Sequence, residues 1–178
     1  ANCGSGGSNF VSATFTIYCA SAGSSTSAGY VDFVGLGTIS RTSVSDGGYY
    51  NGTSSFSTNI KPNTAYTITL SPGYSGTKKN TYWRVYIDYN RDGDFADAGE
   101  QVGQKTFKNT TNTTISFTVP SGASLGTSRL RVVMSTTAYQ SHCGVYTSGE
   151  TEDFTVNITN TPDQQPEVET LANTNNLI

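Results

Sequence analysis

The 178-residue chain reads as an all-β protein, an antiparallel two-sheet β-sandwich of jelly-roll-like form. Three observations lead there. Thr (28), Ser (22), Gly (19) and Asn (14) together make up 83 residues, and these small polar types support helices poorly but suit short strands joined by turns. Apolar side chains recur at every second position in run after run, the period of a half-buried strand. Eleven Tyr and eight Phe supply core material that a disordered chain lacks.

Taken in order, Phe15, Ile17 and Cys19 alternate with Thr14, Thr16 and Tyr18 and predict a first strand. Val31 and Phe33 continue at the same spacing, as do Tyr66, Ile68 and Leu70. Trp83, Val85 and Ile87 share one face, with Tyr82, Arg84, Tyr86 and Asp88 on the other, so Trp83 is expected in the core. Ile115, Phe117 and Val119 run into the turn Pro120-Ser121-Gly122. Leu130, Val132 and Met134, then Phe154, Val156 and Ile158, complete the series. Each run has one apolar and one polar face, as a sandwich strand requires. Ser21 to Gly29, Ser45 to Ser55, Ser71 to Asn80 and Asp88 to Gly99 read as connecting turns. The predicted domain spans residues 1–158. Residues 159–178, with Pro162 and Pro166 among acidic and Asn-rich positions, read as a linker or disordered tail leading to another domain of a longer chain.

A net charge of -3 and a pI near 5.0 give no reason to expect nucleic acid or an anionic membrane surface as partner. No apolar run approaches the length of a membrane span. The chain starts at Ala1 without a basic, apolar leader, so the leader is expected to be already removed. Low Lys and Glu with abundant Thr and Asn fit a secreted, extracellular protein. Cys3, Cys19 and Cys143 have no zinc-like spacing. A disulfide between Cys19 and Cys143 is the expected pair, with Cys3–Cys19 as the competing one.

The strongest local signal is Asp88-Tyr-Asn90-Arg-Asp92-Gly93-Asp94-Phe-Ala-Asp97-Ala-Gly99-Glu100. Oxygen-bearing side chains at every second position followed by Gly are how a short loop wraps a hard cation, and calcium suits such a flexible set better than magnesium. Asp88, Asn90, Asp92, Asp94 and Glu100 are the expected ligands of a calcium-binding loop. The spacing is not that of an EF-hand, because Gly99 stands at the closing position and no flanking helices can be read.

After that loop come Val119-Pro120-Ser121-Gly122-Ala123, Arg129-Leu130-Arg131-Val132, Cys143-Gly144 and Gly149-Glu150-Thr151-Glu152-Asp153-Phe154. With Tyr18-Cys19 and Gly29-Tyr30-Val31-Asp32-Phe33 before it, this order resembles the GEVED domain family over roughly Tyr18 to Ile158. Thr151 replaces the motif's Val, Phe154 its Tyr, and Tyr86 stands where the family often has Trp. The resemblance implies a β-sandwich accessory module of secreted bacterial proteins, found beside peptidases, glycoside-active enzymes or adhesion domains. Glu150, Glu152 and Asp153 at the start of the last strand are expected either to pair with Arg129 and Arg131 across the sheet or to ligate a cation.

Catalytic chemistry is poorly supported. The lone His142 has no nucleophile elbow to serve, and no phosphate loop, zinc-protease or dinucleotide motif is present. Binding is the better class, since sugar rings stack on aromatics and their hydroxyls take polar partners. Tyr49, Tyr50, Tyr74, Tyr139, Gln140, His142 and Tyr146 lie in Gly-flanked loops, and Arg84 would suit a sulfated or uronic sugar. The expectation is a non-catalytic, calcium-stabilised carbohydrate-binding module of a polysaccharide-degrading enzyme, with an anionic or marine-type polymer among the candidate ligands. The alternative is a protein-binding, adhesion or spacer module beside a secreted protease.

Overall fold

A computed structural model describes residues 17–108, 111–161 and 163. Among them are twelve strands. These are β1 (Ser21–Gly23), β2 (Tyr30–Leu36), β3 (Ile39–Thr42), β4 (Tyr49–Asn51), β5 (Ser57–Ile60) and β6 (Ala65–Gly73), then β7 (Thr81–Ile87), β8 (Gln101–Phe107), β9 (Thr113–Thr118), β10 (Gly126–Ser135), β11 (Gly144–Tyr146) and β12 (Gly149–Ile158). No helix of the described residues is long and apolar enough to cross a membrane.

Two sheets face each other. One is four-stranded and antiparallel, in the order β3-β2-β6-β9; the other runs β12-β10-β7-β8, with β4 and β5 added to the outer side of β12. Both additions run parallel to it, β4 beside Thr151–Asp153 and β5 beside Thr155–Ile158. Two short strands thus share the edge of one long one. At the opposite side β8 lies next to β9 of the facing sheet. Gly103 leaves room there for Ile115, whose Cγ2 would lie 2.3 Å from an added Cβ, and Lys105 Nζ donates to the Thr114 carbonyl at 3.0 Å.

The alternation predicted for these strands packs the interior. Trp83, Val85, Ile87, Leu130, Val132, Met134, Phe154, Val156 and Ile158 from one sheet meet Val31, Val34, Leu36, Ile39, Ile68, Leu70 and Phe117 from the other, all buried. Trp83 stacks on Phe107 with ring centroids 5.5 Å apart and donates its indole N–H to Thr81 Oγ1 at 2.8 Å, so its polar atom is satisfied inside the core.

A third layer departs from the expected pattern. β1 and β11 pair in parallel as a two-stranded ribbon against the outer face of the larger sheet. It gives Tyr86, Val133, Phe95 and Tyr146 a small core of their own, with Tyr18 packed against it. The ribbon can lie this close because three glycines meet under it: a Cβ on Gly23 would sit 1.9 Å from the Gly149 carbonyl oxygen, and one on Gly48 would sit 2.0 Å from that of Gly23. The predicted first strand does not form over 17–20. Ile17 is 78% exposed, and pairing starts only at Ser21, inside a stretch the sequence reads as a turn. β4 likewise falls within a predicted turn. Phe15 and Cys3 lie outside the described residues, as do residues 164–178 of the expected tail. Asp163, a described residue of the expected tail, accepts bonds from Thr38 Oγ1, Thr58 Oγ1 and the Asn59 amide at 2.9, 2.8 and 2.7 Å.

Candidate ligand and metal sites

Cys19 and Cys143 form a disulfide immediately before β1 and β11. Arg131, on the outer face of β10, is buried beneath it. Its Nε and Nη2 donate to Asp153 Oδ1 and Oδ2, both at 2.7 Å, and Nη1 donates to the carbonyls of Cys19 (2.8 Å) and His142 (2.7 Å). One guanidinium therefore holds both chain segments that the disulfide joins. Asp153, not the glutamates, is the acid that pairs with Arg129 and Arg131.

The acidic loop starts at the end of β7. Asp88 is wholly buried, and its carboxylate accepts from the Tyr18 hydroxyl at 2.6 Å, the Gly93 amide at 3.1 Å and the Arg91 amide. Burial and the bond to Asp88 push the Tyr18 phenol pKa well up. Arg91 adopts a left-handed φ of 66°, a costly conformation for a side-chain-bearing residue, and the short bond to Asp88 fixes it. Past that point Asp92, Asp94 and Asp97 are exposed, while Phe95 packs inward. Asp92 Oδ1 accepts from the Asp94 amide and Asp94 Oδ1 from the Ala96 amide, while the Asn90 amide group donates to Asp92 (2.9 Å) and Asp97 (2.6 Å). The bond from Asn90 holds the Asp92 carboxyl below the usual range. Oxygens of Asp92, Asp94 and Asp97 lie within 4.8 Å of one another, a separation that one cation spans. Asp97, in the loop but not among the expected ligands, completes that trio. Glu100 Oε1 accepts from the Tyr89 and Asn90 amides, whereas its Oε2 is buried without a partner. Burial raises the Glu100 pKa.

The predicted ligand-binding residues separate into two groups. Arg84, Tyr139 and Gln140 come together on the outer face of β7 and β8. Arg84 lies 5.3 Å from the Tyr139 ring centroid, donating to Gln104 Oε1 at 3.2 Å and to the Gln140 carbonyl at 3.1 Å. Tyr82 meets the Tyr139 ring edge-on at 5.4 Å, and Thr106 Oγ1 donates to the Tyr139 hydroxyl. These rings are half-exposed, and the cluster contains no carboxylate. Tyr82 and Gln104 were not among the expected contacts, although the outward parity of Tyr82 with Arg84 signals it.

The remaining five are not gathered with them. Tyr49 bonds Asp153, Tyr50 lies under the Arg41 guanidinium and Tyr74 bonds the Lys79 carbonyl. Tyr146 is buried under the ribbon with its hydroxyl paired to Thr151. His142 packs edge-on against Tyr86 and Phe95, and burial beside Arg131 lowers its pKa.

A shallow concavity of about 300 Å³ is lined by Tyr18, Arg91, Arg129 and five Ser or Thr residues of β10, β12 and the 53–54 turn. Arg129 lies 4.1 Å over the Tyr18 ring there. It was not anticipated, because its residues come from five separate stretches of chain.

Glu150 and Glu152 take inward positions on β12, between the sheets. Glu150 accepts from the amides of Asp46 (2.7 Å), Val31 (3.0 Å) and Gly48 (3.3 Å). Glu152 pairs with Arg41 of β3, which also reaches Asp46 at 2.7 Å. Burial pushes the Glu152 carboxyl up to about 8; Arg41 opposes the shift, and Glu150 and Asp46 add to it.

Residues 82–157, covering β7 to β12, match the model of the GEVED domain family, the family the sequence motifs resemble. The matched stretch is shorter than the resemblance read from the motifs, which reached back to Tyr18. No curated protein matches the chain. Among solved structures, the CARDB domain of a Pyrococcus furiosus protein in complex with di-metal ions is similar at 12% identity, covering 74% of this chain and 90% of that one, with a TM-score of 0.37.

Proposed function

From the GEVED match, we propose that the chain is a non-catalytic carbohydrate-binding module of a secreted bacterial polysaccharide-degrading enzyme. The observation that carries this reading is the half-exposed cluster of Tyr82, Arg84, Gln104, Tyr139 and Gln140. It offers ring faces for sugar C–H groups, amides for hydroxyls and an arginine for a sulfate or uronate, on a rigid sheet face without acids that would repel an anionic polymer.

Affinity electrophoresis against neutral and anionic polysaccharides tests it. An anionic polymer is expected to retard the wild type. Tyr139→Ala or Arg84→Ala should each weaken binding by about 1–2 kcal/mol, roughly five- to thirtyfold in Kd. Absence of retardation by every polymer, together with binding to an extracellular protein, would transfer support to an adhesion or spacer role.

The reading includes calcium in the acidic loop, supported by the grouping of Asp92, Asp94 and Asp97. Calcium at a hundred times its Kd should add about 2.7 kcal/mol, raising Tm by roughly 5–10 °C for a domain of this size. A chelator should reverse the gain, and Asp92→Asn with Asp94→Asn should abolish it. A Tm in that double variant that still climbs by the wild-type amount would remove calcium from the loop.

A further inference from the structure

We propose that Asp46, Glu150 and Glu152 form a divalent-cation site inside the sandwich, separate from the acidic loop. The side chains come from three places that the fold alone brings together. Glu150 and Glu152 project inward from β12 on the same face as Phe154 and Val156, and Asp46 reaches in from the turn before β4. Oxygens of the three lie within 4.8 Å of one another. That is about twice a calcium–oxygen distance, so a single ion between them meets all three.

A second observation is independent of this grouping. Glu152 has 0% side-chain exposure, and its Oε2 has no hydrogen-bond partner. Its carboxylate is turned toward Asp46 and Glu150, not toward solvent. Arg41 serves the other oxygen and Asp46, and it is held in place over the Tyr50 ring at 3.6 Å. Three carboxylates therefore face one bonded guanidinium, an excess of two negative charges when all are ionised. A buried charge without a partner is strongly disfavoured, and a divalent ion at the open oxygen balances the excess.

Asp46 is the half-exposed member, with 23% of its side chain accessible, and gives an ion its way in. Waters complete the coordination on that side. Calcium is preferred over magnesium, because three carboxylates already fixed by Arg41 and backbone amides do not form a regular octahedron.

The test is calcium titration calorimetry with metal analysis after dialysis, on four forms of the full chain: wild type, Asp92→Asn/Asp94→Asn, and that pair combined with Asp46→Asn or with Glu152→Gln. The loop variant is expected to keep one bound calcium. Adding Asp46→Asn or Glu152→Gln should weaken that ion at least tenfold while circular dichroism stays that of the folded protein. Asp46→Asn lies at the rim and keeps the test valid if Glu152→Gln does not fold. A loop variant that binds no calcium, or one whose ion is indifferent to Asp46→Asn, overturns the proposal. A wild type that binds one ion, lost with Asp46→Asn and kept in the loop variant, supports this site and instead removes the ion from the loop.

Discussion

Arg131→Met is expected to destabilise the domain by about 3–5 kcal/mol, the range for breaking a buried ion pair from one side. Arg131 is the only charge that bonds both oxygens of Asp153 among the described residues, and Asp153 has no exposed surface. With methionine in place, the carboxylate keeps only Arg129 at 3.3 Å and the Tyr49 hydroxyl at 3.1 Å, and the carbonyls of Cys19 and His142 lose their donor. Urea denaturation reads the change directly. The control is Arg131→Met with Asp153→Leu, which leaves no stranded charge and should regain much of the loss. A single variant within 1 kcal/mol of wild type would show that the guanidinium does not hold the outer layer.

Removing the disulfide, as Cys19→Ser with Cys143→Ser, should cost about 2–5 kcal/mol. The two cysteines are 124 residues apart. Chain-entropy arguments place the upper limit for a loop of that length near 5 kcal/mol, while Arg131, still bonded to both flanking carbonyls, works toward the lower end. The corresponding fall in Tm is about 5–15 °C. Damage should start locally, because β1 and β11 pair over only three residues each. Tyr18, Phe95 and Tyr146 should therefore gain solvent exposure before the main sheets open, as read by tyrosine fluorescence quenching against far-UV circular dichroism. Simultaneous loss of both signals with a Tm change under 3 °C would contradict this.

The sandwich strands were legible because their interior positions alternate strictly, as Leu130, Val132 and Met134 do opposite Phe154 and Val156. What alternation hides is a third layer. Tyr86 and Val133 sit at positions that period two assigns to solvent, yet the β1–β11 ribbon covers them with its own Tyr146. The same effect dispersed the loop tyrosines: Tyr146 went under the ribbon and Tyr50 under Arg41, leaving Tyr139 beside Arg84 as the pair that meets. β8 was missed because an edge strand, Gln-Val-Gly-Gln-Lys-Thr-Phe, buries little on either face. The roles of the last strand's acids were legible only by parity. Asp153 shares the outward face of Arg129 and Arg131, whereas Glu150 and Glu152 share that of Phe154, and no local pattern announces that Arg41 and Asp46 await them across the gap.

The sides of the sandwich bear on its behaviour at high concentration. A long strand with open amides and carbonyls recruits strands from other molecules. Here the outer side of β12 is already occupied by β4 and β5, and β8 is drawn against β9 with Lys105 bonded across the seam. The long edge of β12 is therefore closed to a second chain, and the closeness of β9 together with a charged lysine on β8 hinders strand addition at the other flank, so the native state should resist fibril growth by edge pairing.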